Sequence, residues 1–151
     1  MRRYLFEKSS WLLADIHKLF EFHADTNNLP LISPPGIKID VLKISDIPLK
    51  KDSEIIVHLK KFFLSKEWHI KINYCEPPKL ISDIQQKGIF EYWQHYHIFE
   101  EMDGGVQMTD RIEFIPPFGM LGKLALPVIY YQLNSMFSYR HRKTQELFTK
   151  G

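Results

Sequence analysis

The chain has 151 residues, of which 44% are hydrophobic and 25% are charged, and its formal net charge is +2. This length predicts a single domain over residues 1–151, and the small net charge argues against a nucleic-acid partner. The single cysteine, Cys75, excludes an intrachain disulfide and a cysteine-rich zinc site, and no apolar run reaches the ~18 residues of a membrane span.

The N-terminal region predicts a strand followed by a helix. Charged residues interrupt its first apolar stretch, so we expect a cytoplasmic protein without a signal peptide. Residues 4–7 form the predicted strand, and Ser9 or Ser10 is suited to cap a helix that ends near His23. The apolar stripe of this helix comprises Leu12, Leu13, Ile16, Leu19 and Phe20. Turn-forming residues then predict an irregular loop over 25–36.

Alternation of apolar and polar side chains predicts four strands in the middle of the chain. Three of them lie at 37–41, 54–60 and 67–74, and the alternation is clearest in the last, which contains Trp68. A turn is expected at 46–52, and Pro77-Pro78 ends the third strand. The fourth strand covers 80–86 and turns near Lys87-Gly88.

The most informative stretch is Trp93-Gln94-His95-Tyr96-His97-Ile98-Phe99, which precedes an Asp103-Gly104 pair. An Asp-Gly pair between two alternating segments is a strong signal for a β-hairpin. With these two residues at the centre of the turn, the cross-strand pairs on one face are Trp93 with Phe114, His95 with Ile112, His97 with Asp110, and Phe99 with Met108. The other face is predicted to be solvated, and carries Gln94, Glu100, Gln107, Thr109, Arg111 and Glu113.

Residues 119–148 follow a helical pattern. The stripe on one face of this helix comprises Ile129, Leu133, Met136, Phe137, Arg140, Thr144 and Leu147. Pro127 is expected to kink the helix or to mark where its regular part begins. The element order predicts an α+β fold in which a twisted antiparallel sheet wraps around this helix, because no other element is large enough to cover the apolar face of the sheet.

A set of short motifs covers nearly the whole chain. It comprises Phe22-His23, Asn28-Leu29, Pro34-Pro35, Asp83-x-Gln85, Gly88, Trp93-x-His95-x-His97-x-Phe99, Thr109-x-x-x-x-Phe114, Pro117-x-Gly119 and Met136-Phe137-x-Tyr139-Arg140. This set resembles a bacterial branch of the START-like superfamily, which has a helix-grip fold and includes polyketide cyclases and coenzyme Q-binding proteins. The resemblance implies a cavity between sheet and C-terminal helix for an apolar or amphipathic ligand, with residues 27–36 as its lid. Most members of the superfamily are carriers or sensors, and a minority are enzymes.

His95, His97 and Asp110 share an otherwise apolar strand face, where polar groups are costly unless they are paired. In one interpretation, neighbouring side chains satisfy both imidazoles within the core. In the other, Asp110 holds His97, which presents its second ring nitrogen to the cavity. A His-His-Asp metal site is geometrically possible, but we predict neither a metal nor a cofactor.

Three more polar residues have two interpretations each. Asp83 and Gln85 share a strand face beside the hairpin, where they extend the polar network or face outward after a bulge. Arg140 is either a snorkelling side chain or a cavity-edge cation that pairs with Asp110 or with an anionic ligand group. The run Arg140-His141-Arg142-Lys143 is predicted to be a solvated helix end.

Three functional hypotheses follow. The preferred one is a protein that binds or transports an apolar or amphipathic small molecule, because the site has many wall residues and no evident nucleophile. The second is a cyclase or dehydratase that uses His97 with Asp110, and His95 beside them, in acid–base catalysis. The third is a partner module without a ligand, and the sequence names neither a protein partner nor the ligand. The predicted ligand-binding residues are Trp68, Asp83, Gln85, Trp93, His95, His97, Phe99, Met108, Asp110, Phe114, Phe137 and Arg140.

Overall fold

Seven antiparallel strands form one sheet in the computed structural model, which describes residues 2–149. The strands are β1 (Tyr4–Leu12), β2 (Lys38–Ile44), β3 (Glu54–Lys61), β4 (Leu64–Glu76), β5 (Leu80–Lys87), β6 (Tyr92–Met102) and β7 (Gly105–Ile115). Their spatial order is β1-β7-β6-β5-β4-β3-β2. The helices are α1 (Ile16–His23), a 3-10 helix (Thr26–Ile32), α2 (Gly119–Leu124) and α3 (Leu126–Thr149). The predicted order of one strand, a helical segment, six strands and a long C-terminal helix is confirmed.

The β6–β7 hairpin has the predicted register. Met102 pairs with Gly105, so Asp103 and Gly104 are the two turn residues. Their φ angles are 50° and 80°, in the left-handed region that a type I′ turn requires at both positions. All four predicted cross-strand pairs are present, including His97 opposite Asp110. The register matters for the site, because a slip of one residue would turn every side chain to the other face.

The side chains predicted to face the C-terminal helix lie on the covered face of the sheet. Trp93 and Phe114 form a core cluster with Leu133 and Phe137 of α3, and Trp68 packs against the same cluster. The remaining two predicted side chains, Phe99 and Met108, belong to a second core cluster that includes residues of α1. Two helical elements therefore cover this face, rather than the C-terminal helix alone.

The opposite face of the sheet is less solvated than predicted at one position. Gln94 is buried, with 3% of its surface exposed. Two hydrogen bonds join the side chains of Gln94 and Asn73: Gln94 Nε2 donates to Asn73 Oδ1 at 3.1 Å, and Asn73 Nδ2 donates to Gln94 Oε1 at 2.9 Å. Gln94 Nε2 also donates to the Ser82 hydroxyl. The prediction for Gln94 was wrong because neighbouring polar side chains cover and satisfy it, which the alternation of one strand does not reveal.

The N-terminal strand is longer and the first helix starts later than predicted. Ser9 and Ser10 lie in β1, opposite Thr109 and Met108 of β7. The helix begins at Ile16, where the Asp15 carboxylate accepts from the backbone N–H groups of the first turn at 2.9 and 3.0 Å. An aspartate at this position satisfies donors that would otherwise be orphaned. The predicted irregular loop also contains the 3-10 helix.

The predicted C-terminal helix over 119–148 is divided into α2 and α3, with Ala125 between them. Pro127 is the second residue of α3, in the first turn, where its missing N–H leaves no hydrogen bond unmade. Pro127 thus marks the beginning of the regular helix. Gly122 of α2 lies so close to the preceding loop that an added Cβ would be 1.9 Å from the Pro117 carbonyl oxygen.

Within residues 2–149, no helix is both long and apolar enough to cross a membrane.

Packing of α3 onto the sheet gives a testable prediction. Leu133 is buried in the cluster with Trp93, and replacement by alanine is expected to lower the free energy of unfolding by about 2–5 kcal/mol, through lost burial and the cavity left behind. Val128 lies on the same helix and is 57% exposed, so Val128→Ala is expected to cost less than about 0.5 kcal/mol. Urea denaturation of both variants measures the difference. An equal decrease in the free energy of unfolding in both variants would contradict this packing of α3 on the sheet.

Candidate functional site

Three neighbouring strands bring four polar side chains together on the covered face. Asp83 of β5 lies opposite His95 of β6, and His97 of β6 lies opposite Asp110 of β7. The two aspartates are therefore on either side of the two histidines, each opposite one ring and diagonal to the other. Side chains at such positions are within reach of one another. We call these four residues the polar cluster.

The Asp110 carboxylate contacts three imidazoles. Its Oδ1 lies 2.7 Å from His95 Nε2 and 3.1 Å from His97 Nδ1. Its Oδ2 lies 2.5 Å from Nε2 of His141, a residue of α3. The carboxylate is 8% exposed, so these contacts replace water almost entirely. Asp110 thereby joins β6, β7 and α3 through charge-assisted hydrogen bonds.

The tautomers of the rings follow from this arrangement. An ionised carboxylate can only accept, so His95 and His141 both carry a proton on Nε2. The other ring nitrogen of His141, Nδ1, shares a hydrogen bond of 2.6 Å with the Ser10 hydroxyl of β1. In neutral His95, Nδ1 keeps its lone pair, and the nearest acidic oxygen is Asp83 Oδ2 at 3.9 Å. The hydrogen-bonded network thus runs from β1 to the middle of the sheet.

The pKa values in the cluster shift in opposite directions. Burial opposes the charge of Asp110, but its bonds to His141, His95 and His97 outweigh burial and hold the Asp110 pKa well below 3.8. Burial likewise opposes the charge of His97, yet Asp110 and Asp83 outweigh it and raise the His97 pKa to about 9. Asp83 Oδ2 lies 3.4 Å from His97 Nε2. His97 is therefore a cation at neutral pH, with a carboxylate beside each ring nitrogen.

Two nearby histidines stay neutral. Burial lowers the pKa of His95, and the neighbouring positive charge of His97 lowers it further. Burial and His97 also lower the pKa of His23, to about 4. The His23 Nδ1 lies 3.0 Å from the Leu19 carbonyl oxygen and donates to it, because a carbonyl can only accept. One charged ring among neutral ones is the arrangement that avoids repulsion between adjacent imidazoles.

A cavity of about 200 Å³ lies next to the polar cluster. All four cluster residues line it, together with His23, Arg140 and His141. The rest of the wall is largely apolar and comes from the sheet, the 3-10 helix and α3, including Leu29, Ile32, Ile39, Val57, Trp68, Ile70, Trp93, Met136 and Phe137. The cavity is thus apolar over most of its wall and charged at one end.

Arg140 lines this cavity from α3. Its guanidinium lies over the Phe137 ring, 5.1 Å from the ring centroid, and its Nε is buried without a hydrogen-bond partner among the described residues. No ion pair within 4.0 Å joins Arg140 to Asp110 in residues 2–149. Of the two interpretations from the sequence, the cavity-edge position agrees with the structure, and the direct pairing with Asp110 does not.

Nine of the twelve predicted site residues line the cavity: Trp68, Asp83, Trp93, His95, His97, Met108, Asp110, Phe137 and Arg140. The other three lie outside its wall. Gln85 holds the β5–β6 turn, since its amide donates to the Phe90 carbonyl at 2.7 Å and accepts from the Phe90 N–H at 3.3 Å. Phe99 packs against Phe20 and His23, and Phe114 packs in the cluster with α3.

Sequence reasoning missed His141, which it assigned to a solvated helix end. The residue is 2% exposed. A signal was present, because Leu133, Phe137, His141 and Thr144 are spaced by four, four and three residues and are all buried. Nothing in the sequence marked Ser10 as the partner of His141, since the two residues are 131 positions apart.

Comparisons with solved structures show the fold. The chain is similar to protein Ms6760 from Mycobacterium smegmatis, with a TM-score of 0.70 and 16% identity over 97% of this chain and 91% of that one. It is similar to Ara h 8.0201, with a TM-score of 0.70 and 13% identity over 99% and 100% of the two chains. It is also similar to major latex-like protein 151 from Panax ginseng, with a TM-score of 0.68 and 11% identity over 97% of each chain. These matches confirm the predicted helix-grip fold.

No family model and no curated protein matches the sequence.

The polar cluster predicts a defined response to Asp110→Asn. The variant keeps the shape of the side chain but removes one of the two charges that stabilise the His97 cation, so the His97 pKa is expected to fall from about 9. NMR titration of the His97 ring in both proteins measures this change, and His58, bonded to Ser65 at the surface, is the internal control. An unchanged midpoint and tautomer of His97 would show that the two residues do not interact.

Stability should pass through a maximum near pH 6.5. The folded protein binds the His97 proton more tightly than the unfolded chain does, so this stabilisation is complete below pH 6.5 and is lost as the pH rises to about 9. A shift from 6.5 to about 9 corresponds to a stabilisation on the order of 3 kcal/mol. His23 has a lowered pKa and acts in the opposite sense, because the folded protein binds its proton less tightly than the unfolded chain does. Its contribution to the stability of the folded protein is therefore lost as the pH falls from 6.5 to about 4.

Urea denaturation at a series of pH values measures both losses. Asp110→Asn is expected to flatten the decrease above pH 6.5, whereas His69→Gln, at a site bonded to Glu67, is expected to leave it unchanged. A wild-type stability that is constant between pH 6.5 and 9 would contradict the assigned charge of His97.

Proposed function

We propose that this protein binds a compact, largely apolar small molecule that carries an acceptor oxygen, such as a carboxylate or carbonyl, in the cavity between the sheet and α3. The single observation that carries the proposal is an apolar cavity that has buried, unpaired donors in its wall. Trp68 Nε1 and Arg140 Nε are buried without hydrogen-bond partners among the described residues, and both residues line the cavity.

Unpaired buried donors are costly, typically by about 1–3 kcal/mol each. Polar side-chain groups that are buried in a folded protein normally have a hydrogen-bond partner. An oxygen atom of a bound molecule would supply that partner to Trp68 and Arg140. The charge of Arg140 favours an anionic oxygen, and the apolar wall favours a hydrophobic body.

The size of the cavity limits the ligand. Its volume, about 200 Å³, is moderately larger than the ~150 Å³ of an engineered apolar cavity that holds benzene. One or two fused rings therefore suit it better than a diacyl lipid does. Among START-like folds, ligand binding in this cavity is the role that the resemblance implies, and the position of the donors adds the chemistry of the polar group.

The proposal predicts different behaviour for 2-naphthoate and 2-methylnaphthalene. Both have the same ring system, but only the acid offers anionic oxygens to Arg140. Protein freed of copurified molecules by denaturing extraction and refolding is titrated with each compound, and quenching of tryptophan fluorescence reports binding near Trp68 and Trp93. We expect the wild type to bind the acid more tightly than the hydrocarbon.

Arg140→Met is expected to weaken naphthoate binding by about 10–100-fold, the equivalent of one charge-assisted hydrogen bond, with little effect on 2-methylnaphthalene. The matched control is Arg142→Met, because Arg142 is an exposed residue of the same helix. Failure of both compounds to bind, or an equal loss of naphthoate affinity in both variants, would contradict the proposal.

A further inference from the structure

Two ring nitrogens and one carboxylate oxygen converge at the charged end of the cavity. They belong to His95, His97 and Asp83, whose ligand atoms all lie within 4.8 Å of one another. We propose that these atoms bind one divalent transition-metal ion of the class that accepts imidazole and carboxylate ligands, such as Zn²⁺. The site does not require the apolar ligand, and the two proposals can fail independently.

The distances suit a metal site. Asp83 Oδ2 lies 3.4 Å from His97 Nε2 and 3.9 Å from His95 Nδ1. Ligand atoms that bind Zn²⁺ at about 2.0–2.1 Å in a tetrahedron are separated from each other by about 3.3 Å. The His97–Asp83 distance is close to this separation, the His95–Asp83 distance is somewhat longer, and no two of the three ligand atoms are more than 4.8 Å apart.

The orientation of the rings also suits a metal. Asp110 Oδ1 contacts the far nitrogen of each ring, His95 Nε2 at 2.7 Å and His97 Nδ1 at 3.1 Å. A carboxylate that accepts from the far nitrogen of a metal-binding histidine is a recurrent feature of such sites, because it fixes the tautomer and raises the basicity of the other nitrogen. Here one carboxylate orients both imidazoles towards Asp83.

The arrangement of lone pairs supplies an independent argument. Nδ1 of neutral His95 and the Asp83 oxygen are both electron-pair donors, both are at least nine-tenths buried, and they face each other across 3.9 Å. Two buried lone pairs repel unless a cation lies between them. In the metal-free protein, the Nε2 proton of His97 supplies positive charge beside Asp83. A divalent ion would take the place of that proton and bind both rings.

The chemistry of the three ligand atoms limits which metal ion the site can bind. Two imidazoles with one carboxylate suit Zn²⁺ or Fe²⁺ and are a poor match for Ca²⁺ or Mg²⁺, which prefer oxygen ligands. All three residues line the cavity, so the remaining coordination positions would be open to water or to the oxygen of a bound molecule. From the sequence, the third ligand considered was Asp110, whereas the structure assigns that position to Asp83.

The test uses chelator-treated full-length protein and the metals alone. Calorimetric titration with Zn²⁺ is expected to show one equivalent bound, and Co²⁺ is expected to give the visible absorption of a four- or five-coordinate ion. Asp110→Asn should weaken Zn²⁺ binding by about 10–100-fold while keeping the Co²⁺ spectrum. Asp83→Asn, which removes a ligand atom, should weaken it further and change that spectrum.

The matched control is the double variant His58→Gln/His69→Gln, whose two rings bond Ser65 and Glu67 away from the cluster. It is expected to bind Zn²⁺ as the wild type does. Circular dichroism checks that each variant is folded. If Asp83→Asn does not fold, nitrogen NMR of the unmodified protein replaces it, with Zn²⁺ expected to shift His95 Nδ1 and His97 Nε2 but not the control rings.

Either of two results would overturn the proposal: the absence of saturable Zn²⁺ and Co²⁺ binding, or stoichiometric binding that leaves His95 and His97 unshifted and survives Asp83→Asn. Neither result would affect the naphthoate titration, to which no metal is added.

Discussion

The carboxylate of Asp110 is the interaction on which the centre of this protein depends. It accepts hydrogen bonds from His95 and His141 and forms an ion pair with His97, so it joins two strands of the sheet to the long C-terminal helix. A buried carboxylate is tolerated only when its oxygens are satisfied, and here three donors take the place of water. The contact also fixes the rotation of α3, because His141 must face the sheet. Its neighbours Phe137 and Thr144 are then buried on the same stripe.

Chemically identical side chains take different charge states around this carboxylate. His97 lies between two carboxylates and is a cation, whereas His95 and His23 are buried next to that cation and are neutral. The centroids of the His95 and His97 rings, which are tilted by 34° to each other, are 3.8 Å apart, a distance at which two charged rings would repel strongly. The positions of Asp83 and Asp110 therefore decide which ring carries the proton, and no property of the histidines alone does so.

The strands that carry these charged side chains also place aromatic side chains beside them. Trp68, Trp93 and Phe137 form an aromatic wall beside the polar cluster, and His95 packs edge-on against Phe137 with ring centroids 5.2 Å apart. Low local polarity strengthens each electrostatic contact and makes each unpaired donor more costly. This contrast between an apolar wall and a charged end is the basis of the proposal that the cavity binds molecules with one polar group. In that proposal, the oxygen of the ligand lies close to Arg140.

The sequence by itself determined the hairpin, its register and the face that carries His95, His97 and Asp110. An Asp-Gly turn between alternating segments is local information, and alternation has a strict period of two. The order of the seven strands along the chain and the long C-terminal helix could likewise be predicted from periodicity. Local pattern could not show that His141 reaches Asp110 from α3, that Ser10 supports His141, or that Gln85 bonds Phe90 instead of facing the cavity. The first two contacts join residues that are distant in sequence, and only the packing of α3 and the pairing of β1 with β7 brought them together. The Gln85–Phe90 contact depends on the conformation of an irregular turn, which periodicity does not describe.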